Sequence, residues 1–107
     1  MATRTETYTI TELRELLLPF CENHPIAKLE VFGSIADGTA RVGSDVDLMV
    51  TFKPGAKVGA EFLDMVLELE DLLGCPVDLV DRASVETMEN WILRRSILES
   101  VRTIYAA

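Results

Sequence analysis

A chain of 107 residues makes one domain, spanning residues 1–107, with room for a real core but not for a second unit. Hydrophobic residues at 49% beside 26% charged ones mark a globular chain rather than a disordered one. A net charge of -8 argues against direct nucleic-acid binding, whose footprint is basic, and no apolar run approaches the ~18 residues of a membrane span.

The opening MATRTETYT has no apolar segment of the secretory kind, so a cytoplasmic setting is expected. Residues 9–22 read as a first helix, with Thr9 and Glu12 spaced as a capping box and Leu13, Leu16, Leu17 and Phe20 forming one stripe. Pro19 is expected to kink or loosen its last turn. His24, the single histidine, falls in the Asn23-His24-Pro25 break and reads as a surface turn residue rather than a catalytic base. Cys21 and Cys75 lack metal-ligand spacing and read as buried reduced thiols.

A strand over 27–32 packs Leu29 and Val31, with Phe32 a further candidate, and a short helix opens at Gly33 with its first amides toward a phosphate site. A second strand covers 46–52, followed by a turn at Lys53-Pro54-Gly55. The longest amphipathic pattern, 59–73, turns Phe62, Met65, Val66, Leu69, Leu72 and Leu73 inward, leaves an acidic solvated face and stops at Gly74. The third strand, 77–80, puts Asp78 and Val80 on one face and Val77 and Leu79 on the other, and Asp81 faces away from Asp78. Ser84 is the expected cap of a last helix with Met88, Trp91, Ile92, Ile97 and Leu98 on its stripe. Residues 101–105 close the chain as a short strand or extended segment, and no internal repeat occurs.

The chemistry gathers between residues 32 and 50. Gly33-Ser34 follows one apolar run, and Asp45-Val46-Asp47 opens the next, with ten residues of loop composition between Ser34 and Asp45. Strand alternation points Asp45 and Asp47 the same way, with Cα atoms ~6.6 Å apart. Two such carboxylates can ligate a pair of hard cations ~3.5–4 Å apart, the arrangement used for in-line phosphoryl displacement. A Gly-Ser turn beside them offers backbone N–H groups and a hydroxyl to a polyphosphate. The bland reading is an ordinary strand-to-helix turn and a solvent-facing acidic pair. Like charges on one face repel unless a cation lies between them, which favours the metal.

FGS, a loop, then SDVDLMV resembles the signature of the minimal nucleotidyltransferases, the smallest branch of the DNA polymerase beta superfamily. The likeness runs through nearly the whole chain, and the family's third carboxylate falls on Asp78 in Pro76-Val77-Asp78-Leu79-Val80. It implies an α/β (α+β) fold, a small mixed β-sheet with helices packed mainly on one face. It also implies two magnesium ions held by Asp45, Asp47 and Asp78, the catalytic set. ATP would be bound at Gly33, Ser34, Asp45 and Asp47, and AMP transferred with release of pyrophosphate. Stand-alone members suggest the antitoxin of a toxin–antitoxin pair, which adenylylates a tyrosine of a helical HEPN-type ribonuclease. Where the family commonly reads Gly-Ser-x-Ala-Arg-Gly, this chain has Asp37 in place of the arginine, and Arg41 is the nearby cation. That departure keeps open a module that neutralises its partner by contact alone. A free-standing small-molecule nucleotidyltransferase is the third reading. The apolar stretch from Trp91 to Tyr105 leads us to expect a homo-oligomer, or a complex with a helical, relatively basic protein.

Overall fold

Apolar residues alternating along four short strands, with one amphipathic helix before them and another among them, dictate a sheet with one dry face. The computed structural model describes residues 7–41 and 45–107. The order is α1 (Ile10–Glu22), β1 (Ile26–Phe32), α2 (Gly33–Asp37), β2 (Val46–Phe52), α3 (Glu61–Leu73), β3 (Val77–Asp81), α4 (Arg82–Glu86), α5 (Trp91–Glu99) and β4 (Arg102–Ala106). The four strands form one mixed sheet in the order β3-β2-β1-β4. β1 runs antiparallel to both β2 and β4, while β2 and β3 are parallel and joined through α3.

One face is the core. Leu29 and Val31 of β1, Val46, Leu48 and Val50 of β2, Val77 and Leu79 of β3 and Ile104 of β4 point into it. Leu13, Leu17 and Phe20 of α1 and Met65, Leu69 and Leu73 of α3 close over them. Each buried leucine removes an apolar side chain from water, and truncation to alanine at such a site costs about 2–5 kcal/mol. Leu16 and Leu72, expected on the buried stripes, lie at their margins and are exposed, because each helix meets the sheet over a narrower arc than its apolar residues occupy.

The α1 capping box is present in both directions, Glu12 N–H to Thr9 Oγ1 at 3.1 Å and Thr9 N–H to Glu12 Oε1 at 3.0 Å. Pro19 does not end the helix, which continues to Glu22. Pro19 and Glu15 are both exposed, so the carbonyl that loses its partner faces water. Gly74 ends α3 in the left-handed conformation, φ 66°.

The final helical region differs from expectation. It comprises two helices, α4 capped by Asp81 and α5 capped by Asn90, and Ser84 lies inside α4. Asp81 accepts from Ala83 N–H at 3.0 Å, so a strand-end carboxylate out-competes the serine three residues on. Residues 102–106 do form an edge strand against β1. Among the described residues no helix is long and apolar enough to cross a membrane.

Candidate active site

The second face of the sheet is polar at one end. Strand register builds it in rows. Phe32 of β1 is opposite Asp47 of β2, and Asp47 is opposite Asp78 of β3. The next row inward is Glu30, Met49 and Val80. Asp47 and Asp78 are therefore neighbours on one face of adjacent strands, ~4.8 Å apart along the hydrogen-bonding direction. Asp45 is exposed and stands immediately before β2. Val42, Gly43 and Ser44, the end of the expected loop, lie outside the described residues.

The electrostatics of this row are those of uncompensated like charges. Burial, then the carboxylates of Asp78 and Asp45, push the Asp47 carboxyl above its usual range. Among the described residues neither Asp47 nor Asp78 has a cationic partner within salt-bridge distance. Folding has placed Asp47 where two other aspartates repel it, which costs stability unless something positive joins them.

Gly33 is built against this row. It has φ +71°, and a Cβ placed on it would lie 2.4 Å from Asp47 Oδ2. Only glycine combines that backbone conformation with that approach. Ser34 follows in the first turn of α2, and its carbonyl gathers the loop by accepting from Thr39 N–H at 2.9 Å and Ala40 N–H at 3.0 Å. This carbonyl anchor is not visible from residue types.

Asp37, at the end of α2, is exposed. Its carboxylate accepts from Thr39 N–H at 3.0 Å and Thr39 Oγ1 at 2.6 Å, and these bonds hold its carboxyl below the usual range. The departure from the family pattern is thus absorbed in a local turn. His24 is a turn residue as expected, paired with Glu68 at 2.8 Å, its ring tilted at 46° to that of Phe20. Cys21 is a buried free thiol, pushed up to about 12 chiefly by that burial, while Cys75 is half-buried.

Hard carboxylate oxygens suit magnesium. Among the described residues no three acidic, histidine or cysteine side chains close round one point. A magnesium ion would therefore rest on one or two of Asp45, Asp47 and Asp78, with phosphate oxygens and water completing its shell. That is how this ion is usually held beside a nucleotide. The donor set fits.

One residue pair on this face escaped sequence reasoning. Glu30, directly behind the aspartate row, is 2% exposed and accepts from Arg82 Nη1 at 2.6 Å. The alternation Lys28, Glu30, Phe32 against Leu29, Val31 was the available signal, since it puts Glu30 on the face of Asp47.

Residues 13–104 match the model of the nucleotidyltransferase domain family. A Methanocaldococcus jannaschii protein provisionally named protein adenylyltransferase MJ1379 is 30% identical over 98 residues, covering 87% of this chain and 95% of that one. A solved structure provisionally described as a minimal nucleotidyltransferase is 34% identical, with a TM-score of 0.66 over 89% of this chain and 95% of that chain. The fold also matches a chain from a tri-AMPylated Shewanella oneidensis HEPN toxin in complex with MNT antitoxin. There the identity is 14% and the TM-score 0.63, over 92% of this chain and 74% of that one.

Proposed function

Because the chain belongs to the nucleotidyltransferase domain family, we propose that it transfers AMP from ATP to a hydroxyl of a partner protein. We take that partner to be a HEPN-type toxin, the acceptor one of its tyrosines, and this chain the antitoxin. The observation that carries the reading is the Asp47–Asp78 register pair on one open face, with the Gly33 backbone pressed against Asp47. A protein named as an adenylyltransferase at 30% identity supports AMP as the group moved. The fold shared with a chain of an AMPylated toxin–antitoxin complex supports the choice of partner.

Each residue then has a task. Asp45 and Asp47 hold the cations, and Gly33 leaves the triphosphate room to approach the backbone. The Ser34 hydroxyl donates to a phosphate oxygen. Magnesium, when bound, neutralises triphosphate charge and supports an in-line displacement. The acceptor oxygen attacks the α-phosphorus as the bond to the β-phosphate oxygen breaks and pyrophosphate leaves. Asp78 takes the proton the acceptor gives up. Positioning and charge neutralisation supply most of such a rate enhancement. We place the reaction in the cytoplasm, where ATP is available and free thiols such as Cys21 persist.

The first turn of α5 exposes Trp91 (59%), Ile92 (65%) and Leu93 (48%), apolar side chains fanned round the helix start and suited to a protein partner. The same residues would serve neutralisation by contact alone, so the test must separate the two. ATP labelled at the α-phosphate is incubated with magnesium, the chain and a HEPN-type toxin. Label on the toxin with wild type, and none with Asp47→Asn, is the expected result. Toxin neutralised without label would refute transfer and leave contact as the mechanism.

A further inference from the structure

The aspartate row carries a mechanical problem. β3 is an edge strand, hydrogen-bonded only to β2, and its Asp78 repels the Asp47 it is paired with. Repulsion at the open end of two parallel strands tends to splay them, and a splayed pair cannot share a cation at fixed spacing. Something must draw β3 back across β2.

The row immediately behind contains that attraction. Arg82 follows β3 by one residue and starts α4, which lies against β2 and β3. From there its guanidinium reaches Glu30 on β1 at 2.6 Å, and Met49 of β2 stands between Glu30 and Val80 in the row. The contact joins the first and third strands over the second. Glu30 is 2% exposed, so water competes little for it. Two other groups face the pair. Lys28 Nζ is 3.6 Å from Glu30 Oε2 at the more exposed side, and Glu86 Oε1 is 3.5 Å from Arg82 Nε one turn along α4. Arg82 is thus held from two sides, with its short contact on the buried carboxylate.

We propose that the Glu30–Arg82 ion pair is a positioning device for the transfer reaction: it clamps the β3–α4 junction to β1 and so sets Asp78 against Asp47. The clamp also neutralises Glu30, which would otherwise stand as a fourth negative charge behind the three aspartates. Neither residue touches the substrate. Both act through the spacing of the carboxylates that do.

The inference rests on the transfer reading above, so its test needs a measurement independent of turnover. A buried ion pair replaced on both sides by apolar residues of similar volume often keeps or gains stability. Glu30→Met/Arg82→Met therefore separates geometry from folding. Manganese(II) binding, followed by its electron paramagnetic resonance signal, reports on the aspartate row. Steady-state transfer to the toxin reports kcat and KM for ATP. The double variant is expected to keep the wild-type melting temperature within a few degrees. It should bind manganese roughly ten-fold more weakly and lose kcat by at least about ten-fold, with KM for ATP within about two-fold. Wild-type manganese affinity and kcat in a folded double variant would overturn the proposal and show the pair to be structural only. If the double variant does not fold, Glu30→Gln keeps the shape and weakens the bond to Arg82. A parallel fall of roughly three-fold in manganese affinity and kcat is then expected, and no change in either overturns the proposal. Wild type that binds manganese but transfers nothing would instead refute the transfer reading, and the inference with it.

Discussion

Replacing Gly33 by alanine tests whether the Gly-Ser turn is shaped for the carboxylate behind it. At φ +71° an L-residue pays about 1–2 kcal/mol for left-handed backbone. The new Cβ would sit 2.4 Å from Asp47 Oδ2, nearer than two such atoms can approach. Asp47 must then swing aside, adding roughly 0.5–1.5 kcal/mol if it is pushed off its rotamer. A total of about 2–3 kcal/mol lowers the melting temperature by roughly 10–20 °C in a domain of this size. Activity should fall further than stability does, since a displacement of about 1 Å in a positioned group can cost ~10²-fold. Thermal denaturation with and without manganese, together with labelled AMP transfer, reads both effects below the melting transition. Alanine that leaves melting within about a degree of wild type, or that destabilises without weakening manganese binding, would refute the account of Gly33.

Asp47→Asn should abolish transfer while leaving the fold at least as stable, because it removes the charge that Asp78 and Asp45 repel. The linkage has a definite sign. A carboxyl raised above its ordinary 3.8 is favoured in its protonated form by folding, so its contribution is complete below 3.8 and is lost as pH rises through the elevated value. Urea denaturation against pH should show that loss in wild type and a flatter profile in Asp47→Asn; identical profiles would contradict it. Asp37→Arg should change ATP–magnesium affinity by less than about two-fold in calorimetry, since Asp37 is occupied by Thr39. A ten-fold gain would mean that its carboxylate reaches the phosphates. Trp91→Ala should leave stability within about 0.5 kcal/mol, as exposed positions do, yet weaken toxin binding; undiminished binding would move the docking surface off α5.

Much of this molecule is legible in residue order. Periodicities of two and 3.6 mark β2 at the limits observed, and the core faces of α1 and α3 through Leu13, Leu17, Met65 and Leu69. The alternation in Val77-Asp78-Leu79-Val80 puts Asp78 on the face opposite the core residues Val77 and Leu79, as the structure does. What stays hidden is whatever depends on contacts between distant segments. The pairing of Asp47 with Asp78 is a register between strands 31 residues apart by their numbers. No local pattern specifies such a register. Glu30 and Arg82 are likewise 52 residues apart, and each alone reads as a solvated charge. The split of the last helix turned on competition between caps, in which Asp81 and Asn90 displaced Ser84.

Crystals grown with manganese and an ATP analogue that cannot transfer its α-phosphate locate the reacting centre most directly. Anomalous scattering should place manganese on one or two carboxylates of the Asp45, Asp47 and Asp78 set, with the triphosphate running to Gly33 and Ser34. Manganese bound elsewhere on the chain, with the aspartate row empty and the nucleotide away from Gly33, would contradict the site.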